Sequence, residues 1–145
     1  MTLHATCDDV MKVYFDGVLQ SSDPAMANYR HSSKLTIPGG TQVLAIECYD
    51  EGGAEGILAS TDKGVVTDKT WSCSRDLVEG WTGPGFQDTS GSFIPPVVQA
   101  TNGEAPWGFI EGIEGRANWI RPKTSSSRQA YCRKNIAGKL LTLKY

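Results

Sequence analysis

The sequence lacks any long apolar run: no window approaches the roughly 20 residues that a spanning helix requires, so helical membrane insertion is not expected. Histidine is scarce, with only His4 and His31, and neither falls in an HExxH pattern. No GxSxG nucleophile elbow, GxGxxG fingerprint or Walker loop occurs, which withdraws support from metal-dependent, acyl-transfer and nucleotide-dependent chemistry. The four cysteines contain no CxxC pair, which argues against a zinc ribbon or a thioredoxin-like redox motif. Met1-Thr2-Leu3-His4 lacks the basic-then-apolar start of a secretory signal, and no Asn-x-Ser/Thr acceptor is present. Stretches of 3.6-residue periodicity long enough to make a helix are almost missing.

What is present suits one globular domain spanning residues 1–145. The chain is 39% hydrophobic and 21% charged with a formal net charge of -2, a balance that excludes disorder and collagen-like repetition. All 16 acidic residues precede Arg116, whereas the C-terminal portion from Arg116 onward carries only basic charge. Its cations, among them Arg121, Lys123, Arg128 and Arg133, are spread over predicted strands instead of forming a run. Charge complementarity within one fold is therefore expected rather than a nucleic-acid surface.

The dominant pattern has period two. Val10 to Asp16 puts Met11, Val13 and Phe15 on one face and Lys12 and Tyr14 on the other, and Asp16-Gly17 supplies a hairpin turn into a strand starting at Val18. Lys34 to Ile37 turns Leu35 and Ile37 inward. Gln42 to Tyr49 does the same with Leu44, Ile46 and Cys48. Further strands are predicted at Gly56 to Ser60, Gly64 to Thr67, Thr70 to Ser74, Val97 to Ala100, Ala117 to Ile120, Ala130 to Lys134 and Lys139 to Tyr145, a count that defines an all-β antiparallel sandwich. Gly80 to Pro96, rich in Gly, Pro, Ser and Thr, is expected to be a long surface connection.

Cys7, Cys48, Cys73 and Cys132 form an even set, so two disulfides and a secreted, extracellular setting are expected, with three pairings open. Candidate chemistry lies in polar loops. Cys7-Asp8-Asp9 leads into the Val10 strand and Tyr49-Asp50-Glu51-Gly52-Gly53 leaves the Gln42 strand. If these strands pair antiparallel, both acidic segments reach one end of the sandwich. Carboxylates there accept hydrogen bonds from sugar hydroxyls or offer hard oxygens to calcium, for which Asp8 and Asp9 are the candidates. Gly53 lets backbone approach a ligand. Trp71 and Trp119 sit in strands and belong to the core, whereas Trp81 is either a stacking platform for a sugar or a loop anchor. Asn28-Tyr29-Arg30-His31 forms a second candidate segment.

The order Thr6-Cys7-Asp8-Asp9, Val13-Tyr14-Phe15-Asp16-Gly17, Leu44-Ala45-Ile46-Glu47, Gly52-Gly53, Gly56-Ile57-Leu58-Ala59 and Thr67-Asp68-Lys69-Thr70-Trp71 resembles galactose-binding-domain-like β-sandwich modules. It is most similar to the sugar-binding modules of bacterial α-L-rhamnosidases and to lectin domains of marine invertebrates. Ala117-Asn118-Trp119-Ile120 through Tyr131-Cys132-Arg133-Lys134 resembles strands that usually precede the Asp-Asn segment in those modules, and here it follows. The resemblance thus implies a jelly-roll sandwich with circularly rearranged strand order. It also implies sugar and calcium contacts at Asp8-Asp9, where Asp9 replaces the family's amide, and disulfides Cys7–Cys132 and Cys48–Cys73.

The expected function is that of a non-catalytic lectin recognising terminal galactoside-type or rhamnose-like glycans. Its site would use Asp8, Asp9, Asp50, Glu51 and Gly53 with Tyr29, Arg30 and Trp81, in a homo-oligomer that gains avidity. No cofactor is required, although calcium is a candidate. Two other functions compete: an accessory module or small glycoside hydrolase using Asp8 and Asp50 as its acid pair, and a structural module stiffened by calcium.

Overall fold

A computed structural model describes residues 1–21, 29–87 and 91–137. The strands among the described residues are β1 (Thr2–Asp8), β2 (Val10–Phe15), β3 (Val18–Ser21), β4 (Ser33–Thr36), β5 (Val43–Tyr49), β6 (Gly56–Thr61), β7 (Ser72–Ser74), β8 (Val97–Thr101), β9 (Asn118–Arg121) and β10 (Gln129–Asn135). The predicted strand Lys139 to Tyr145 falls outside the described residues. Two five-stranded antiparallel sheets form, ordered β4-β1-β6-β9-β8 and β3-β2-β5-β10-β7. Among the described residues no helix is long and apolar enough to cross a membrane.

Period-two patterning explains how the sheets face each other. Leu3, Ala5 and Cys7 of β1, Ile57 and Ala59 of β6 and Ile120 of β9 meet Met11, Val13, Phe15, Leu44, Ile46, Ala130 and Cys132 in one buried core. Asp16 and Gly17 both take positive φ, 47° and 85°, as the predicted hairpin turn demands. The Asp16 carboxylate then accepts from the N–H groups of Gln42 and Val43, at 2.9 and 2.8 Å, and so fixes the start of β5.

Four expectations need correction. The Thr2–Asp8 segment is itself a strand, pairing with β4 and β6. Gly64 to Thr67 forms only an isolated bridge, Ser60 to Val66, because the chain turns sharply back on β6. The 80–96 connection is not merely a surface excursion, since Trp81 and Phe93 from it are buried on the outer face of the second sheet with Ala45 and Tyr131. The disulfides are Cys7–Cys48 and Cys73–Cys132. The pairing Cys7–Cys132 does not form because Cys132 stands directly opposite Cys73 and is taken by it, which leaves Cys7 to Cys48. Cys7 instead bridges the core to β5, and Cys132 lies opposite Cys73 on the neighbouring β7.

Candidate functional site

The end of the sandwich where β1 turns into β2 is built by register. Val10 pairs with Tyr49, and Asp8 pairs with Gly56, so the β1–β2 corner and the β5–β6 loop must stand side by side. Three backbone N–H groups close this end: Asp9 N–H donates to Tyr49 O at 3.1 Å, Asp50 N–H to Arg128 O at 2.9 Å, and Glu51 N–H to the Asp9 side-chain Oδ2 at 2.7 Å. Asp50 Oδ1 accepts from Gly52 N–H at 3.0 Å, an Asx turn that Gly52 and Gly53 continue at φ of 135° and 81°. A Cβ at either glycine would meet open space, so only the backbone conformation selects glycine there. The loop's far end is tied down by Glu55, whose carboxylate takes both Nη atoms of the buried Arg75.

The four acids are not equivalent. Asp8 and Asp50 are nearly buried, at 8% and 9% exposure, while Asp9 is half-buried and Glu51 is exposed. Burial pushes the Asp8 carboxyl up to about 7, helped by its hydrogen bond with Asp9 and by the charges of Asp9 and Asp50, and opposed by a bond from Trp107. Burial also raises Asp50 above the usual carboxylate range, with Glu55 and Asp9 adding repulsion. Desolvation of Asp9 acts upward as well, but hydrogen bonds from Asp8, the Glu51 backbone and Asp50 together hold it below its ordinary value. The three carboxyls therefore titrate as an interacting set in which Asp9 is the member held lowest.

Trp107 is the partner that sequence reasoning did not place here. Its Nε1 donates to Asp8 Oδ2 at 3.0 Å, and its ring stacks on Trp119 with centroids 4.2 Å apart. Gly56, opposite Asp8, makes room for this pair: a Cβ there would lie 2.9 Å from the Trp119 ring. A Gly-flanked tryptophan in the 102–117 loop was the only signal available, and nothing local connects it to a residue 99 positions away.

The structure brings Asp8, Asp9, Asp50, Glu51 and Gly53 together. Trp81 is elsewhere, buried at 5% exposure beneath the second sheet's cover among Tyr14, Phe93 and Tyr131, which is the loop-anchor alternative. Tyr29 packs on the outer face of the first sheet, held by Thr6 Oγ1 donating to its carbonyl at 3.0 Å. Arg30 lies over the Tyr29 ring and lines a separate groove with His31, Ser32, Phe109 and Glu111. Among the described residues no group of three or more His, Cys, Asp or Glu side chains has an arrangement able to hold a metal ion. Neither family models nor curated proteins nor solved structures provide a match for this chain.

Proposed function

We propose that the protein is a non-catalytic carbohydrate-binding lectin of galactose-binding-domain-like character, whose acidic end holds a terminal galactoside or rhamnose-like sugar. The supporting observation is the convergence of Asp9 and Glu51 at one tip, locked by the 2.7 Å bond between them and backed by the buried Asp8 and Asp50. An ionised Asp9 and an exposed Glu51 accept from vicinal hydroxyls, and the Gly52-Gly53 backbone admits the sugar closely. Calcium is not required in this reading, and Asp8 and Asp9 remain its candidate ligands. A jelly-roll with rearranged strand order, secretion into an oxidising compartment and homo-oligomeric avidity belong to the same proposal.

A glycan array followed by calorimetry with methyl β-galactoside and methyl α-rhamnoside, each with and without chelator, tests it. Glu51→Ala and Asp9→Asn are each expected to weaken binding by about tenfold, the value of one hydrogen bond to a charged acceptor, with the melting temperature of Glu51→Ala unchanged. A blank array, or affinity untouched by both substitutions, refutes the site.

The opposed shifts of Asp8 and Asp9 also favour a second reading, an acid–base pair for hydrolysis. Glycosidase carboxyl pairs stand about 5 Å or more apart with a sugar between them, whereas these two bond directly to each other. Turnover of aryl glycosides would restore the hydrolase.

A further inference from the structure

We propose a second binding site, independent of the acidic end: the groove between residues 30–32 and 109–111, which takes a neutral hexopyranoside on the Phe109 ring. The groove measures about 370 Å³ and is lined by Arg30, His31, Ser32, Phe109 and Glu111, within the range of small-ligand sites, roughly 300–1,000 Å³.

Phe109 is 61% exposed although its neighbours in the loop, Trp107, Ile110 and Ile113, are all buried on the sheet. Gly108, at φ of 72°, reverses the chain between the inward Trp107 and the outward Phe109. An aromatic ring left in water costs hydrophobic free energy, yet the walls that present it are fixed from both sides. Ser32 Oγ donates to Glu111 O at 2.8 Å and ties the two segments together. Gly112 lets the loop approach His4 and Ser32 closely: a Cβ there would sit 2.7 Å from His4 Cδ2 and 2.9 Å from Ser32 Oγ. Asn102 holds Ile110 and Ile113 by their backbone.

The chemistry of the lining is that of a sugar subsite. The face of a phenyl ring packs on the C–H face of a pyranose. Arg30, steadied with its guanidinium 5.4 Å from the Tyr29 ring centroid, donates to hydroxyl or ring oxygens. Glu111 accepts from hydroxyls. One guanidinium and one carboxylate offset each other, so the lining gives an acidic sugar no net attraction, and the ligand class is neutral. The same loop carries Trp107 to Asp8, which places both sites on one flank of a single chain.

An NMR titration of the full chain with the methyl glycosides of β-galactose, β-glucose and α-rhamnose, with glucuronate as the acidic control, decides the matter. The expected result is perturbation of residues 30–32 and 109–111 by at least one neutral glycoside. Phe109→Ala should weaken that interaction by about tenfold or more, Phe109→Tyr should keep it, and Glu51→Ala should leave it unchanged. No response at these residues to any of the three neutral glycosides, a response to glucuronate alone, or unaltered binding in Phe109→Ala would overturn the proposal. The acidic end is judged separately by the resonances of residues 50–53, so either site fails without the other.

Discussion

Arg133 and Asn102 perform one task on opposite faces of the sandwich with different chemistry. Each sheet has an outer face that an ordinary two-layer sandwich would leave to solvent, and each is roofed by a loop carrying aromatic or aliphatic side chains. On the second sheet the roof is Trp81, Phe86 and Phe93, and the fastener rises from the sheet itself: the fully buried Arg133 donates to Trp81 O at 2.6 Å, Gly83 O at 3.1 Å and Phe86 O at 3.2 Å, with its guanidinium against the Phe86 ring. On the first sheet the roof is Trp107, Ile110 and Ile113, and the fastener belongs to the loop: Asn102 donates to Ile110 O and Ile113 O at 3.1 and 2.8 Å and accepts from Ile110 N–H at 2.7 Å. A charged clamp ties loop to sheet, so its loss costs the fold. An amide clamp ties the loop to itself, so its loss costs the loop's shape, and only that loop carries Trp107 to Asp8 and Phe109 to the groove.

Removing the charged clamp should have the largest effect. Arg133→Met keeps most of the volume but removes the guanidinium from the carbonyls of Trp81, Gly83 and Phe86, leaving Gly83 O only the Phe86 N–H, and a loss of about 3 kcal/mol is expected in urea unfolding. Amide hydrogen exchange in residues 81–86 should accelerate while glycoside shifts at Phe109 persist. Arg133→Lys should recover only part of the loss, because one ammonium cannot span carbonyls that a planar fork reaches together. Loss of the Phe109 response in Arg133→Met would mean that the two roofs are coupled.

The amide clamp comes next. Asn102→Ala orphans the Ile113 carbonyl and the Ile110 N–H and leaves the Ile110 carbonyl only the Ile113 N–H, for an expected cost of about 2 kcal/mol. Its signature is functional rather than global: the neutral-glycoside response at residues 109–111 should vanish, since Ile110 and Ile113 no longer set the loop's course, while exchange at residues 81–86 stays slow. Equal effects of the two substitutions on both faces would erase the distinction.

Much of this was legible in the residues and some was not, for physical reasons. Alternation in Val10–Phe15 and the Asp16-Gly17 turn are local, and once β2 pairs antiparallel with β5, which the sequence allows only as a condition, Asp8, Asp9, Asp50 and Glu51 come to one tip. Strand β1 was missed although Leu3, Ala5 and Cys7 alternate with Thr2, His4 and Thr6, because Ala and Cys are weak strand markers. Both fasteners were invisible: Arg133 meets Trp81 across 52 positions of chain, and nothing in a lone arginine announces that its charge will be spent on carbonyls. The disulfide pairing went astray one level higher, because an inferred strand neighbourhood decided it, whereas Cys7–Cys48 crosses the core between strands of different sheets.

The last effect is conditional on pH and tests the interacting carboxyls beneath the acidic tip. Asp8 titrates near 7 in the folded protein against 3.8 when unexposed to this environment, so the folded state binds more protons than the unfolded one between those values. The stabilisation from Asp8 is therefore complete below about pH 4 and is lost as the pH rises towards 7. Asp50, also raised, adds a slope of the same sign, whereas the lowered Asp9 contributes stability above its unfolded value and loses it in acid, outside this window. Asp8→Asn mimics the protonated carboxyl: its Oδ1 accepts from Trp107 Nε1 and its amide donates to Asp9. The variant should melt together with the parent protein near pH 4 and above it near pH 7.5, with the gap opening as the pH rises. A constant offset between the two melting curves across that range would show that Asp8 carries no proton in the folded state, and Trp107 would then be bonded to a plain carboxylate.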